Sequence, residues 1–200
     1  MLHSHPVFDA LLSGTKALSV ALGFRDQATQ QHADRVVGLS QALGHACQLT
    51  LAELSLLRVA ATFHDVGKIG IPDRILHKPG RLDSDERQQM QLHSEIGERI
   101  VAASELDGAD SAARIIRHHH EHFDGRGYPD GLAGESIPMC SRIISVCDSY
   151  DAMGAARTYQ STRSHRDIMA ILAEESGSKH DPAVVRAFSE LIGSNPYRIA

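Results

Sequence analysis

Apolar residues recur every three or four positions along most of the chain, which is the spacing of amphipathic helices. The pattern predicts helices over residues 7–22, 26–46, 51–63, 83–103, 108–120, 139–156, 165–175 and 182–191. Thr50 with Glu53 matches a capping box, and Asp181 before Pro182 matches an N-cap followed by a first-turn proline. Segments 67–80 and 121–138 are rich in glycine and proline and are predicted to be loops. We therefore expect one all-α domain.

Several of these helices carry a histidine or an aspartate on the apolar face. His32 lies four residues before Val36, on the stripe that Leu39 and Leu43 continue. The same placement is predicted for five further residues, namely His64, His93, His119, Asp148 and Asp151. One such histidine is most simply a buried side chain bonded to a carbonyl, but so many buried polar groups without partners would each cost kilocalories. Binding a common metal removes that cost.

The composition supports a metal site. The chain has 13 histidines in 200 residues. A histidine-rich ligand set with few carboxylates suits Fe, Mn, Zn or Co, and has too many nitrogen ligands for Mg or Ca. Histidines without an inward placement are expected at the surface, namely His3, His5, His45, His77, His165 and His180; the pattern does not assign His118 or His122.

Charge and apolar content narrow the function classes. The net charge of -5 argues against binding a DNA or RNA polymer through its backbone. No apolar run is long enough to span a membrane, and the first residues do not resemble a secretion signal. The three cysteines form neither a C-x-x-C pair nor an even set, which is typical of a cytoplasmic protein.

Five motifs, in order, resemble those of the HD-GYP family of metal-dependent phosphohydrolases. From the N-terminus they read HADRV at 32–36, HDVGK at 64–68, HSEIG at 93–97, HHEHFDGRGYP at 119–129 and DSYDAM at 148–153. The resemblance covers about residues 26–188. It implies a helical HD-domain bundle with additional helices around the GYP loop, here residues 121–138. It also implies an N-terminal helical extension over 1–25, a phosphodiesterase domain over 26–192 and a tail over 193–200.

The resemblance implies hydrolysis of cyclic di-GMP to linear pGpG and, in some members, on to GMP. The chemistry it implies is attack by a hydroxide that bridges two divalent metal ions, with Fe or Mn expected first and Co, Ni or Zn as alternatives. Carried over motif by motif, the first ion is held by His32, His64, Asp65 and Asp148. Asp65 bridges to the second ion, which is held by His93, His119 and His120.

The remaining site roles also follow from the resemblance. Lys68 is expected to contact the scissile phosphate, and Arg157 and Tyr128 to bind the substrate. Three carboxylates are expected to orient the metal-ligating imidazoles rather than to bind metal, namely Glu121, Asp124 and Asp151.

Departures from the family pattern leave alternatives open. Some members carry a glutamate four residues before the first histidine and bind a third metal, but Ala28 stands there and cannot ligate, so we expect two metals. Residues 154–156 are Gly-Ala-Ala where the family tends to carry polar residues, Thr158 replaces a usual proline, and Gln160 stands where a basic residue is common. The substrate could therefore be another cyclic dinucleotide or a nucleotide phosphoester, or the chain could be a low-turnover binding module. A homodimer, a receiver domain or a diguanylate cyclase are the partners that we expect.

Overall fold

The described residues form helices joined by short turns. A computed structural model describes residues 18, 20, 23, 27–154, 163–193 and 195–199. The helices are α1 (Gln27–Ala46), α2 (Leu51–Phe63), α3 (Asp73–Leu76), α4 (Ser84–Gln91), α5 (His93–Ala102), α6 (Ala109–Arg117), α7 (Met139–Gly154), α8 (His165–Glu174) and α9 (Pro182–Ile192). Two short 3₁₀ helices are η1 (Val66–Gly70) and η2 (Gly134–Ser136). No β-strand occurs among these residues, and the all-α prediction is confirmed.

Two of the predicted helix caps form. Glu53 donates its backbone N–H to the Thr50 hydroxyl at 3.3 Å, while the Glu53 carboxylate accepts the Thr50 N–H at 2.8 Å. The Asp181 carboxylate accepts the N–H of Ala183 at 2.7 Å at the start of α9. The predicted helix over 7–22 lies almost entirely outside the described residues, and residues 155–162 lie wholly outside them.

Two predictions of local structure were wrong. The single helix over 83–103 is two helices that meet at Leu92, because His93 Nδ1 and the Ser94 hydroxyl bond the carbonyls of Met90 and Gln91. Segment 67–80 is not a plain loop. It contains most of η1 and all of α3. The buried side chains of Ile71 and Ile75 anchor the segment in the interior.

The core is aliphatic and lies between the long helices. Helix α1 packs against α2, α7 and α9. Helix α6 packs against α5 and α2, and η1 packs against α5. Its fully buried members include Leu39, Leu43, Leu57, Ile116, Ile143 and Phe188. Burying each such side chain contributes about 1.5–3 kcal/mol. These same helices, or the turns that follow them, carry the polar residues of the candidate site.

Gly67 allows η1 to approach α5 closely. A Cβ atom at this position would lie 1.8 Å from the carbonyl oxygen of His93, so no side chain fits without a backbone shift. The turn that carries Asp65 and Lys68 therefore rests directly on the first turn of the helix that carries His93.

The C-terminal part of the chain packs back on the domain. The N–H groups of Phe123 and Asp124 in the GYP loop donate to the carbonyls of Lys179 and Ser178, at 3.1 and 2.8 Å. In the predicted tail, the Ile199 N–H donates to the Tyr150 hydroxyl at 3.0 Å. None of the helices in the described ranges is long and apolar enough to cross a membrane.

Candidate metal centre

One group of possible ligands comes from three helices. His32 lies on α1, Asp148 lies on α7 and His64 directly follows α2. Each contributes one ligand atom, and the three atoms lie within 4.8 Å of one another. Within the group, His32 Nε2 lies 3.0 Å from Asp148 Oδ1. We call these three residues the first triad.

A second triad consists of His93, His119 and His120. Its ligand atoms also lie within 4.8 Å of one another. His93 begins α5, and the other two residues follow the end of α6. The Nε2 atoms of His93 and His120 are 3.1 Å apart. At this distance at most one of the two atoms can carry a proton.

Asp65 lies between the two triads. Its Oδ2 atom is 3.6 Å from His64 Nε2, and its Oδ1 atom is 3.7 Å from His93 Nε2. The carboxylate is buried, with the residue 5% exposed. The seven residues that the sequence predicts as metal ligands are thus brought together in one place.

Three of the five imidazoles direct an Nε2 lone pair toward this centre. The Nδ1 atoms of His64, His93 and His119 lie 2.6–2.8 Å from the carbonyl oxygens of Ala61, Met90 and Ile116. A carbonyl can only accept, so each Nδ1 carries the proton and each Nε2 carries the lone pair. Nε2 of His64 and of His119 is buried without a hydrogen-bond partner among the described residues. Buried acceptors of this kind fit cations.

In four of the seven residues, burial and charge favour the protonation states that metal binding needs. Burial lowers the pKa of His119 to about 3 and also lowers the pKa values of His93 and His120. Burial opposes ionisation of Asp65, but Lys68 and the neighbouring histidines hold its pKa well below the usual value. Neutral imidazoles and an ionised carboxylate are the forms that ligate metal.

His32 differs from the other imidazoles because carboxylates flank it on both sides. Burial lowers its pKa, but hydrogen bonds to Asp148 and Asp151 outweigh this and raise the value to about 9. Asp151 Oδ2 lies 2.7 Å from His32 Nδ1, and Asp151 Oδ1 accepts from Arg35 Nε at 2.6 Å. This is the contact that an orienting carboxylate makes to a ligand imidazole.

The other two carboxylates expected to orient imidazoles are directed elsewhere. Glu121 Oε1 accepts the backbone N–H of Asp130 at 2.7 Å. Asp124 accepts the backbone N–H of Arg126 at 3.0 Å and pairs with the Arg126 guanidinium. Among the described residues, no hydrogen bond joins either carboxylate to an imidazole of the triads, and Glu121 Oε2 is buried there without a hydrogen-bond partner.

Two of the three predicted substrate-contacting residues lie at the centre. Lys68 Nζ is 2.5 Å from Asp65 Oδ2. The Tyr128 ring is stacked on the His120 imidazole, with centroids 4.9 Å apart and planes at 30°. Burial, with Asp148 and Asp65 nearby, raises the pKa of the Tyr128 hydroxyl, so it stays protonated. Arg157 lies outside the described residues.

The sequence pattern missed two features. His180 was expected at the surface but is 1% exposed, with Nδ1 3.3 Å from the Ser145 hydroxyl, because the packing of α9 and α7 covers it. Asp130 and Arg117 were not singled out, yet they form a bidentate ion pair beside the second triad. Their contact crosses a loop, so no local spacing indicates it.

Comparison with known proteins assigns the family. A model of the HD domain family matches residues 16–184. The chain belongs to the HD domain family. The match begins inside the predicted N-terminal extension. The resemblance to HD-GYP proteins is confirmed by curated relatives that are themselves cyclic dinucleotide phosphodiesterases.

Two of these curated relatives are similar to this HD domain over most of its length. A cyclic di-GMP phosphodiesterase of Thermotoga maritima is 37% identical over 183 residues, which are 92% of this chain and 50% of the relative. The 3'3'-cGAMP-specific phosphodiesterase 2 of Vibrio cholerae is 38% identical over 173 residues, 86% of this chain and 33% of the relative. This chain therefore spans half of the first and a third of the second.

The solved structure shows that the fold is shared. The crystal structure of a cyclic GMP-AMP phosphodiesterase of V. cholerae matches with a TM-score of 0.68 and 21% identity. The match covers 97% of this chain and 50% of that one. The predicted HD-domain bundle is confirmed.

Proposed function

We propose that this HD domain is a metal-dependent phosphodiesterase that hydrolyses cyclic di-GMP to linear pGpG. The observation that carries the proposal is Asp65, an ionised and buried carboxylate that faces one triad with each oxygen. A carboxylate in this position suits two divalent ions that share it as a ligand. The likeness to phosphodiesterases of cyclic dinucleotides supports the substrate class.

The first triad with Asp65 would hold one ion, and the second triad with Asp65 would hold the other. Two divalent ions there supply Lewis acidity and lower the pKa of an attacking water. We expect Fe or Mn, with Co, Ni or Zn as alternatives, because five of the seven donors are imidazoles. We expect two ions rather than three, because the methyl group of Ala28 offers no ligand atom.

The side chains of the protein supply binding and orientation. Lys68 carries the ammonium group closest to the shared carboxylate, so it can donate to a phosphoryl oxygen of a diester bound at the centre. Tyr128 stays protonated and can donate its hydroxyl proton to the substrate. Asp151 keeps His32 in a fixed orientation through the 2.7 Å contact to Nδ1. We also propose a substrate-binding role for Arg157.

Product analysis tests the proposal. Protein purified without oxygen and loaded with Fe²⁺ or Mn²⁺ should convert cyclic di-GMP to pGpG, with or without further release of GMP, as resolved by chromatography. Asp65→Asn should abolish turnover. Absence of turnover with Fe, Mn, Co and Ni would overturn the proposal, and a stable complex with cyclic di-GMP that yields no product would indicate a binding module instead.

A second candidate substrate is a mixed guanine–adenine cyclic dinucleotide. It is favoured by the 38% identity to a 3'3'-cGAMP-specific phosphodiesterase and by the altered segment 154–160. Competition between cyclic di-GMP and 3'3'-cGAMP at equal concentration decides between them. Faster consumption of 3'3'-cGAMP would support this second candidate and reject the first.

The proposed biological setting follows from the substrate. We propose that the domain over 26–192 acts in the cytoplasm, where nucleotide messengers are made. A second copy of the chain, a receiver domain or a diguanylate cyclase would be suitable partners. Size-exclusion chromatography with light scattering tests the homodimer directly.

A further inference from the structure

Four polar side chains converge beside the second triad without belonging to it. Asp130 Oδ2 accepts from Arg117 Nε and from His118 Nε2, each at 2.8 Å. Asp130 Oδ1 accepts from Arg117 Nη2 at 2.7 Å. The backbone N–H of Asp130 donates to Glu121 Oε1 at 2.7 Å. Residue 130 is therefore held through both its side chain and its backbone.

This group has the spacing of a metal site, but the carboxylate of Asp130 is already paired with an arginine. Ligand atoms of His118, Glu121 and Asp130 lie within 4.8 Å of one another. Both Asp130 oxygens, however, already accept from the Arg117 guanidinium, which supplies the positive charge. Arg117 Nη1 also donates to Glu98 Oε2 at 2.7 Å, which links the network to α5. These contacts give the Asp130 carboxylate a structural role.

The network fixes the segment that carries Tyr128. Tyr128 lies two residues before Asp130, its N–H donates to the carbonyl of His120 at 3.3 Å, and its ring is stacked on the His120 imidazole. Arg117 and His118 lie directly before the ligand pair His119 and His120. The network therefore attaches the end of this segment to the same stretch of chain that presents the second triad.

The start of the GYP loop is held by a separate attachment. The N–H groups of Phe123 and Asp124 donate to carbonyls of Lys179 and Ser178, and neither contact involves Arg117 or Asp130. A change that acts on the Asp130 network alone should therefore leave these two amides unaffected.

We propose that Asp130 is a positioning residue that keeps Tyr128 stacked on His120. Its pairing with Arg117 and His118 holds the loop after Tyr128, and Tyr128 in turn presents its hydroxyl at the candidate centre. The effect on the substrate rests on the proposed function. The effect on the loop does not, and the two can be measured separately.

Amide hydrogen exchange by NMR tests the effect on the loop. In Asp130→Ala, the Tyr128 amide should exchange about tenfold faster, while the amides of Phe123 and Asp124 keep their rates. Asp130→Asn keeps an acceptor for Arg117 and should show a smaller increase. Arg126→Ala removes an exposed ion pair of the same loop and is the matched control. An unchanged Tyr128 rate, or equal acceleration of all three amides, would overturn the proposal.

Kinetics on the best cyclic dinucleotide substrate test the effect on binding. Asp130→Ala should raise KM about tenfold in the otherwise unchanged protein, and should add little in a Tyr128→Ala background. Equal effects in both backgrounds would show that Asp130 does not act through Tyr128. If the unchanged protein hydrolyses no cyclic dinucleotide, the proposed function fails, and the amide exchange still decides the role of Asp130.

Discussion

The imidazoles of His64 and His119 meet edge to face, with ring centroids 5.4 Å apart and planes at 83°. Each ring donates through Nδ1 to a backbone carbonyl of its own helix end, so both Nε2 lone pairs remain for the interior. This contact joins the first triad to the second. Two metal ions that share Asp65 require these two rings to lie next to each other.

Asp151 should increase the metal affinity of the first triad without binding metal itself. Asp151→Ala removes the carboxylate from His32 Nδ1, and we expect metal affinity at the first triad to fall about 10–100-fold. Chelator competition measures the affinity of each site. Arg35→Ala is the matched control, because it removes the ion pair but leaves Asp151 against His32. Equal losses in the two variants would contradict the orienting role.

Lys68 should act on the chemical step. Lys68→Met keeps the apolar stem but removes the ammonium group, and we expect kcat to fall about 10²–10³-fold with the metal content unchanged. Steady-state kinetics and elemental analysis on the same samples measure the two quantities. Lys78→Met, which breaks a surface ion pair with Glu86, should leave both unchanged. Loss of metal in Lys68→Met would instead assign the lysine a structural role.

The close approach at Gly67 should tolerate no side chain. Gly67→Ala places a Cβ atom against the His93 carbonyl, so the backbone must shift, and we expect a loss of about 1–3 kcal/mol in the free energy of unfolding. Urea unfolding measures this value. Gly193→Ala is the control, because a Cβ atom there meets nothing within 4 Å. Comparable losses in the two variants would be evidence against the close contact.

Buried His180 should make the protein less stable in acid. Burial lowers its folded-state pKa to about 3 from 6.5, so below about pH 6.5 protons bind the unfolded chain preferentially. From pH 7 to pH 5, stability should therefore fall by about 2 kcal/mol relative to His180→Gln. Urea unfolding at several pH values measures the difference between the two proteins. A difference that does not change with pH would show that His180 is accessible to protons.

The parts of the site that follow from sequence are those encoded locally. His64 and Asp65 adjoin the end of a helix whose apolar stripe is readable, and His32 lies on the stripe of α1, so their inward placement could be predicted. The break at Leu92 could not, because it depends on side chains competing for backbone carbonyls. Nor could the Arg117–Asp130 pair, since it forms only when the loop between them closes.

The number of metal ions per chain shows whether the two triads form a paired metal centre. Elemental analysis after anaerobic purification should give about two transition-metal ions per chain, and His119→Ala should retain about one, at the first triad. A ratio near three would show that a further ligand replaces the one that Ala28 lacks. A ratio of one or less in the unchanged protein would contradict the paired centre and, with it, the proposed hydrolase.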